Sequence, residues 1–122
     1  IIEIDLSNFD TSKVTTMSWM FCDSYNIEKI NLGSINTSLV ENMNMLFKGT
    51  KITSIDLSKF DTSKVTTMNW MFCGCSKLEA INLSNFDTSQ VTDMPLMFNG
   101  CSSLKYLDLS NFEKKVKNVF WL

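Results

Sequence analysis

The segment Phe-Asp-Thr-Ser-Lys-Val-Thr-Thr-Met at positions 9–17 recurs unchanged at positions 60–68. A third copy at 86–94 differs at two positions, and a weaker copy lies at 35–43. Each copy belongs to a longer unit that begins with Ile/Leu-x-x-Ile/Leu-x-Leu, and successive starts are separated by 26, 25, 26 and 26 residues. A fixed period of this length predicts a solenoid, in which each unit completes the apolar core of its neighbours.

The repeats account for the 122 residues as one predicted domain, because together they supply one continuous core and no second one. The chain begins with Ile rather than Met, at a repeat boundary, so we expect it to be a piece of a longer protein. The predicted repeats are 1–26, 27–51, 52–77, 78–103 and a partial repeat at 104–122.

Composition and charge exclude several classes of protein. All 11 basic residues are Lys, His is absent, and the formal net charge is −2. Without a basic stripe or guanidinium groups, nucleic-acid binding is not expected. Apolar runs are only a few residues long, so no segment is expected to span a membrane.

The third repeat shows how one unit is expected to fold. Ile52, Ile55 and Leu57 follow the pattern of a short strand with one buried face. Parallel stacking of such strands would place neighbouring repeats about 4.8 Å apart. Phe60 is expected to point inward at the corner that follows the strand.

The second half of the repeat is expected to be a short helix, because Val65, Met68, Met71 and Phe72 are spaced to share one helical face. Proline is tolerated only in the first helical turn, so Pro95 restricts the start of the helix. The helix would then run for about two turns. The methionines assigned to its inward face are Met17, Met20, Met43, Met68, Met71, Met94 and Met97.

These elements predict an α/β repeat protein, a right-handed leucine-rich-repeat-like solenoid of about five units, each a short parallel strand plus a short helix. The pattern Ser-x-Phe-Asp-Thr-Ser-x-Val-Thr-x-Met-x-x-Met-Phe-x-x-Cys resembles the repeat of bacterial surface proteins and lipoproteins, a relative of the BspA-like leucine-rich repeats. The second repeat departs from it at Ile35, Asn36, Leu46 and Lys48. The resemblance implies a cell-surface adhesion module and identifies no ligand.

One polar column lies on the outward side of the predicted sheet and alternates between Asp and Asn. An amide between two carboxylates would separate their charges and donate hydrogen bonds to both, which favours a structural ladder over a cation or ligand site. The members of this column are Asp5, Asn31, Asp56, Asn82 and Asp108.

A second polar column lies at the turn after the strand. Side chains at such turns accept hydrogen bonds from nearby backbone N–H groups, and the Thr-Ser pair that follows is expected to share this role. A calcium site at this column has no support from the sequence. The members are Asp10, Asn36, Asp61, Asp87 and Glu113.

The four cysteines are placed by the repeat. Cys75 and Cys101 are equivalent residues of neighbouring units, within reach of a disulfide, whereas Cys22 and Cys73 are two units apart and too far to bond. Free thiols packed at the corner are favoured over a Cys75–Cys101 bridge, and both remain open. The spacing does not favour zinc, and there is no His to activate a catalytic thiol.

An apolar column lies between the inward positions of the predicted helix. On a regular helix it would form an outward stripe, larger than a monomer usually exposes. In a tighter 3₁₀ segment the same side chains would lie beside the core, and the sequence leaves both arrangements open. The column, called here the tryptophan strip, comprises Trp19, Met45, Trp70, Leu96 and Trp121.

The favoured function is a protein-binding, adhesion-type module of a bacterial cell surface, which presents an extended repeat face to a host or neighbouring-cell protein. The alternative is a structural spacer of a surface lipoprotein with no ligand of its own. An enzyme is not expected, because the sequence has no non-repeating polar cluster; neither a cofactor nor a metal is predicted. Partner binding is predicted at the tryptophan strip, with Tyr25 and Tyr106 as further candidates, and the oligomeric state is left open.

Overall fold

Consecutive repeats stack on one another through backbone hydrogen bonds in the computed structural model, which describes residues 2–113. Two short strands, β1 (Ile2–Asp5) and β2 (Ile27–Asn31), pair in parallel as one open sheet. Their register joins equivalent repeat positions, such as Ile4 and Ile30, with one irregularity near the start of β1. The sheet therefore follows the repeat, because identical positions in neighbouring units are hydrogen-bonded partners.

Within residues 2–113 there is no helix, so the predicted leucine-rich-repeat-like α/β solenoid with a helix in each unit is wrong. Among the described residues, regular strand structure is also confined to the first two repeats, in place of the five strands expected. The segments assigned to helices are runs of turns at residues 18–23, 44–49, 69–74 and 95–100.

The hydrogen bonds of these turns explain why no helix forms. Phe72 N–H donates to the Met97 carbonyl of the next repeat at 2.9 Å, whereas the following Cys73 N–H donates to Trp70, three residues back, at 3.1 Å. An α-helix would direct every N–H to the carbonyl four residues back. Because alternate amides bond the neighbouring repeat instead, the segment forms an inter-repeat ladder.

Pro95 fits this ladder for a reason other than the predicted one. Its equivalents Asn44 and Asn69 direct their backbone N–H groups to side chains, namely to Oδ1 of Asn42 at 2.9 Å and Oδ1 of Asn44 at 2.8 Å. A residue without an N–H therefore breaks no backbone bond of the ladder.

Two columns of stacked phenylalanine rings run through the core. The Phe47 and Phe72 centroids are 5.3 Å apart, and the Phe60 and Phe86 centroids are 6.4 Å apart. The predicted inward positions of Phe60 and Met68 are confirmed, since both side chains are buried. The columns are Phe21, Phe47, Phe72 and Phe98, and Phe60, Phe86 and Phe112.

Met20 is an exception to the inward assignment of the methionines. Its side chain is 44% exposed, whereas the equivalent Leu46 and Met71 are 1% and 0% exposed. Met20 belongs to the first described repeat, whereas Leu46 and Met71 each have a described repeat before them. The assignment is therefore wrong for this one methionine of the column.

Candidate functional site

The described members of the tryptophan strip share one unusual backbone conformation. Trp19, Met45, Trp70 and Leu96 have φ angles of 67°, 56°, 60° and 55°. Trp121, the fifth predicted member, lies outside the described residues. Neither backbone conformation considered from the sequence is correct, because positive φ belongs to neither a regular helix nor a 3₁₀ helix.

This conformation is costly for such residues. A left-handed backbone destabilises an ordinary L-residue by roughly 1–2 kcal/mol, whereas Gly adopts it without a steric penalty. Large apolar side chains nevertheless occupy four consecutive equivalents of the position. Strained non-glycine residues concentrate at functional sites, so the strip merits a functional hypothesis.

The strip lies at the protein surface. Trp19 is 60% exposed, and Met45, Trp70 and Leu96 are half-buried. The partial burial is consistent with each side chain lying near its equivalent in the adjoining repeat, about 5 Å away along the stack. The stacking of repeats places these apolar side chains in one row, and apolar patches at the surface are a feature of interaction surfaces.

Lys48 supplies a positive charge on one side of the strip. Its Nζ lies 5.9 Å from the Trp70 ring centroid, within the range of a cation–π contact, and 3.0 Å from Oδ1 of Asp23. The hydrogen bond from Lys48 lowers the pKa of the Asp23 carboxyl, and the same bond raises the pKa of Lys48. The ammonium group is thereby held charged and in place beside Trp70.

A polar network that joins repeats includes Asn44 and Asn69, which directly precede the strip members Met45 and Trp70. Oδ1 of Asn44 accepts hydrogen bonds from Thr67 Oγ1 at 2.6 Å and from Asn69 N–H at 2.8 Å. Asn69 Nδ2 in turn donates to Oδ2 of Asp93 at 2.9 Å. These bonds fix the backbone immediately before Trp70, so the strip lies on a supported rather than a loose segment.

The alternating Asp/Asn column has a local role. Oδ1 of Asp56 accepts from the Ser58 N–H at 2.9 Å, and Oδ1 of Asn82 accepts from the Ser84 N–H at 3.0 Å. The side-chain hydrogen bond from Ser58, followed by its backbone bond, lowers the pKa of Asp56. The same bond two residues ahead is made by every member of the column: Asp5, Asn31, Asp56, Asn82 and Asp108.

The second polar column behaves as the sequence predicts. Oδ1 of Asp61 accepts from both the N–H and the hydroxyl of Ser63, at 2.9 and 2.6 Å. Asn36 makes the equivalent pair of bonds with Ser38, at 2.9 and 2.7 Å. These are turn-stabilising contacts, and within residues 2–113 no group of three or more Cys, Asp or Glu residues is placed to hold a metal ion.

All four cysteines are free thiols. Cys75 Sγ donates to the Phe47 carbonyl and Cys101 Sγ donates to the Phe72 carbonyl, each at 3.1 Å. Burial raises the pKa of Cys75 to about 11 and that of Cys101 to about 12. These side chains pack at the corner between repeats, as the favoured interpretation of the sequence proposed.

Sequence reasoning missed the left-handed backbone of the tryptophan strip and the Lys48 contacts. A signal for the former was present, because Gly49, Gly74 and Gly100 recur four residues after the strip. All three have positive φ, as does Asp23, their equivalent in the first repeat. Each of the four turn segments therefore contains two left-handed residues, and the second of them is glycine in all but the first repeat.

The fold and the strip define a repeat protein built from stacked, turn-rich units with an apolar surface strip. Residues 50–121 match the family described as Mycoplasma protein of unknown function, DUF285, and the chain belongs to this family. Neither a curated protein nor a solved structure gave a match. Among the described residues there is no helix long and apolar enough to cross a membrane.

Proposed function

We propose that this chain is a protein-binding module of a bacterial cell surface and that the tryptophan strip is its contact surface. The observation that carries the proposal is the set of four apolar side chains held at the surface on left-handed backbone. A surface selected only for solubility and stability would favour Gly or Asn at these positions, because both tolerate positive φ.

The chemistry of the strip suits a protein partner. Tryptophan anchors tend to dominate binding energy in protein interfaces, particularly where surrounding polar groups exclude water. Lys48 beside Trp70 and the Asn44–Asn69 network next to the strip supply such polar groups. The partner we propose is a host or neighbouring-cell surface protein with an apolar groove and a carboxylate near the position of Lys48.

The proposed location at the bacterial cell surface rests on the sequence resemblance. Membership in a Mycoplasma repeat family is compatible with the resemblance to bacterial surface-protein and lipoprotein repeats of BspA-like type. The competing proposal is a structural spacer that holds another domain away from the membrane. A spacer requires only the buried core columns and has no use for an apolar strip at the surface. Substitutions in the tryptophan strip therefore distinguish the two proposals.

The test compares the full chain with the double variant Met45→Asn/Trp70→Asn in binding to intact host cells. Asn is chosen because it accepts the left-handed backbone of both positions, φ 56° and 60°. We expect unchanged melting behaviour and binding weakened by at least about tenfold. Leu39→Asn, at an exposed apolar residue away from the strip, is the matched control.

Surface proteolysis of the cells should abolish binding of the parent chain if the partner is a protein. Binding that survives the Met45→Asn/Trp70→Asn change would remove the strip as the contact surface. Absence of any cell binding by the parent chain would favour the spacer.

A further inference from the structure

A surface pocket of about 450 Å³ lies at the corner that precedes the Ile/Leu-x-x-Ile/Leu-x-Leu segment of each repeat. Its volume is in the range of sites that hold a small molecule, about 300–1,000 Å³. Its members come from three consecutive repeats, so the pocket is formed by the stacking of described repeats on one another. The lining residues are Tyr25, Glu28, Lys51, Thr53 and Lys77.

The pocket coincides with a corner in which the repeat is one residue short. The first and third corners have two residues before the next apolar segment, at 25–26 and 76–77, whereas the second has Lys51 alone. One residue fewer shortens the chain by up to about 3.6 Å, so the middle corner is recessed between its neighbours. The array therefore departs from its own period at the position of the pocket.

The Tyr25 ring forms one wall of the pocket and rests on the second repeat. A Cβ on Gly49 would lie 3.3 Å from Tyr25 Cε1, so the ring packs closely over this glycine. The Tyr25 N–H donates to the Asp23 carbonyl at 3.0 Å, and Oδ1 of Asp23 accepts from Lys48 Nζ at 3.0 Å. These contacts hold the aromatic ring in place at the edge of the pocket.

The polar side chains of the pocket are not used by the fold. Those of Glu28, Lys51, Thr53 and Lys77 make no hydrogen bond or ion pair with any residue in the part of the chain that the structure describes. Two lysines and one glutamate give the lining a net positive charge, although the whole chain carries −2. The lining thus has spare hydrogen-bond donors and favours a ligand with a single negative charge.

We propose that this pocket binds a sugar that carries one carboxylate. Lys51 and Lys77 form charge-assisted hydrogen bonds with the carboxylate, and the apolar face of Tyr25 packs against the C–H groups of the sugar ring. Glu28 accepts hydrogen bonds from the sugar hydroxyls, and the Thr53 hydroxyl supplies a further donor or acceptor.

Glu28 also selects the type of anion. A phosphate ester carries a charge of about −1.5 to −2, and the excess negative charge would face the Glu28 carboxylate. A sugar acid supplies one negative charge for the lysines and hydroxyl donors for Glu28, so it satisfies both parts of the lining. The proposal is independent of the tryptophan strip, because no member of the strip lines the pocket.

Titration of the 122-residue chain with glucuronate, glucose and glucose 6-phosphate, followed by NMR shifts of the backbone amides, tests the proposal. We expect glucuronate to bind at least about tenfold more tightly than glucose, which has no carboxylate for the lysines. Glucuronate should also bind more tightly than glucose 6-phosphate. The largest shifts should fall on the amides of Lys51 and Thr53.

The double variant Lys51→Gln/Lys77→Gln should weaken glucuronate binding at least about tenfold. The matched control is Lys59→Gln/Lys64→Gln, which removes two charges from exposed lysines outside the pocket and should leave binding unchanged. Glu28→Gln should narrow the difference between glucuronate and glucose 6-phosphate, because it removes the charge that opposes the phosphate.

Failure of glucuronate to bind the parent chain would overturn the proposal, as would binding that is equal for glucuronate and glucose. Tighter binding of glucose 6-phosphate than of glucuronate would contradict the role of Glu28. Equal losses in the two double lysine variants would show a general effect of charge rather than a site. Loss of glucuronate binding in Met45→Asn/Trp70→Asn would place the sugar at the tryptophan strip instead.

Discussion

The hydroxyl of Thr62 clamps the backbone of Asp87 in the next repeat. Thr62 Oγ1 donates to the Asp87 carbonyl at 3.0 Å and accepts from the Asp87 N–H at 2.8 Å. Thr37 makes the same two bonds to Asp61, each at 2.8 Å. Both threonines are buried, so one side chain satisfies two backbone groups that water does not easily reach.

Replacing Thr62 by Val should therefore destabilise the stack more than an ordinary loss of one hydroxyl. Val keeps the volume of Thr but leaves the Asp87 N–H and carbonyl without their partner, which should cost about 2–3 kcal/mol in the free energy of unfolding. Chemical denaturation measures this loss. Thr62→Ser retains the hydroxyl and should recover most of it.

Thr66→Val is the matched control, because the Thr66 hydroxyl donates to the Glu41 carbonyl at an exposed position, at 3.2 Å. That change should stay within about 0.5 kcal/mol. Equal losses at Thr62 and Thr66 would show that the buried clamp has no special role.

The left-handed glycines make a second, graded prediction. A Cβ on Gly74 would meet Gly49 backbone atoms at 3.7 Å, whereas a Cβ on Gly100 would meet Gly74 backbone atoms at 3.3 Å. Both residues have positive φ, 75° and 80°. Gly74→Ala should thus cost only the conformational penalty, about 1 kcal/mol, and Gly100→Ala should cost roughly 2 kcal/mol or more, because backbone cannot yield as a side chain does.

Thermal or denaturant unfolding of the two variants tests the order of the costs. A reversed order would mean that the spacing between these two repeats is not as tight as the Gly100–Gly74 approach indicates.

Much of this structure is predictable from the repeat alone. Inward residues recur at fixed positions, so the burial of Phe60 and Met71 follows from the period, and the turn role of Asp61 follows from its neighbours Thr62 and Ser63. These predictions require only that equivalent positions of different repeats have equivalent surroundings. They do not require the backbone conformation within a repeat to be known.

The backbone path was where prediction failed. Steps of three, three and one from Val65 to Phe72 suit a helix, but a chain of turns also returns side chains to the core at these intervals. The deciding interaction is the bond from Phe72 N–H to Met97, which joins residues 25 positions apart. The local spacing of apolar residues cannot reveal a hydrogen bond between residues so far apart in the sequence. Positive φ is also rare for a large apolar residue, so it was not expected at Trp70.

The buried Cys75 thiol is expected to make the fold less stable at alkaline pH. Burial raises its pKa from 9.0 to about 11 in the folded protein. The stability that depends on the neutral thiol is therefore complete below pH 9, declines as the pH rises, and is lost above about pH 11. Thr50, the equivalent residue in the second repeat, donates to the Phe47 carbonyl at 3.0 Å, so Cys75→Thr should fold and show a smaller alkaline loss.

Denaturation midpoints measured near neutral pH and above pH 9 test this, with the parent chain and Cys75→Thr compared at each pH. Non-reduced mass spectrometry should also find four unlinked thiols, with Cys75 and Cys101 labelled only after denaturant is added. A Cys75–Cys101 disulfide, or parallel pH profiles for the two proteins, would contradict the assignment.

The Asp61 carboxylate is expected to make the fold less stable at acid pH. Hydrogen bonds from the Ser63 hydroxyl and then the Ser63 N–H lower the pKa of Asp61 below 3.8, and Lys64 adds to this effect. The associated stability is thus present above pH 3.8 and is lost as the pH falls through the folded-state pKa. Asn36 makes the same contacts without a charge, so Asp61→Asn should fold, be somewhat less stable than the parent near neutral pH because the ionised carboxylate is absent, and lose less stability in acid. Asp61→Ala, which removes the acceptor, should be destabilised at both pH values; if Asp61→Asn were equally destabilised near neutral pH, the charge rather than the turn geometry would be what the position requires.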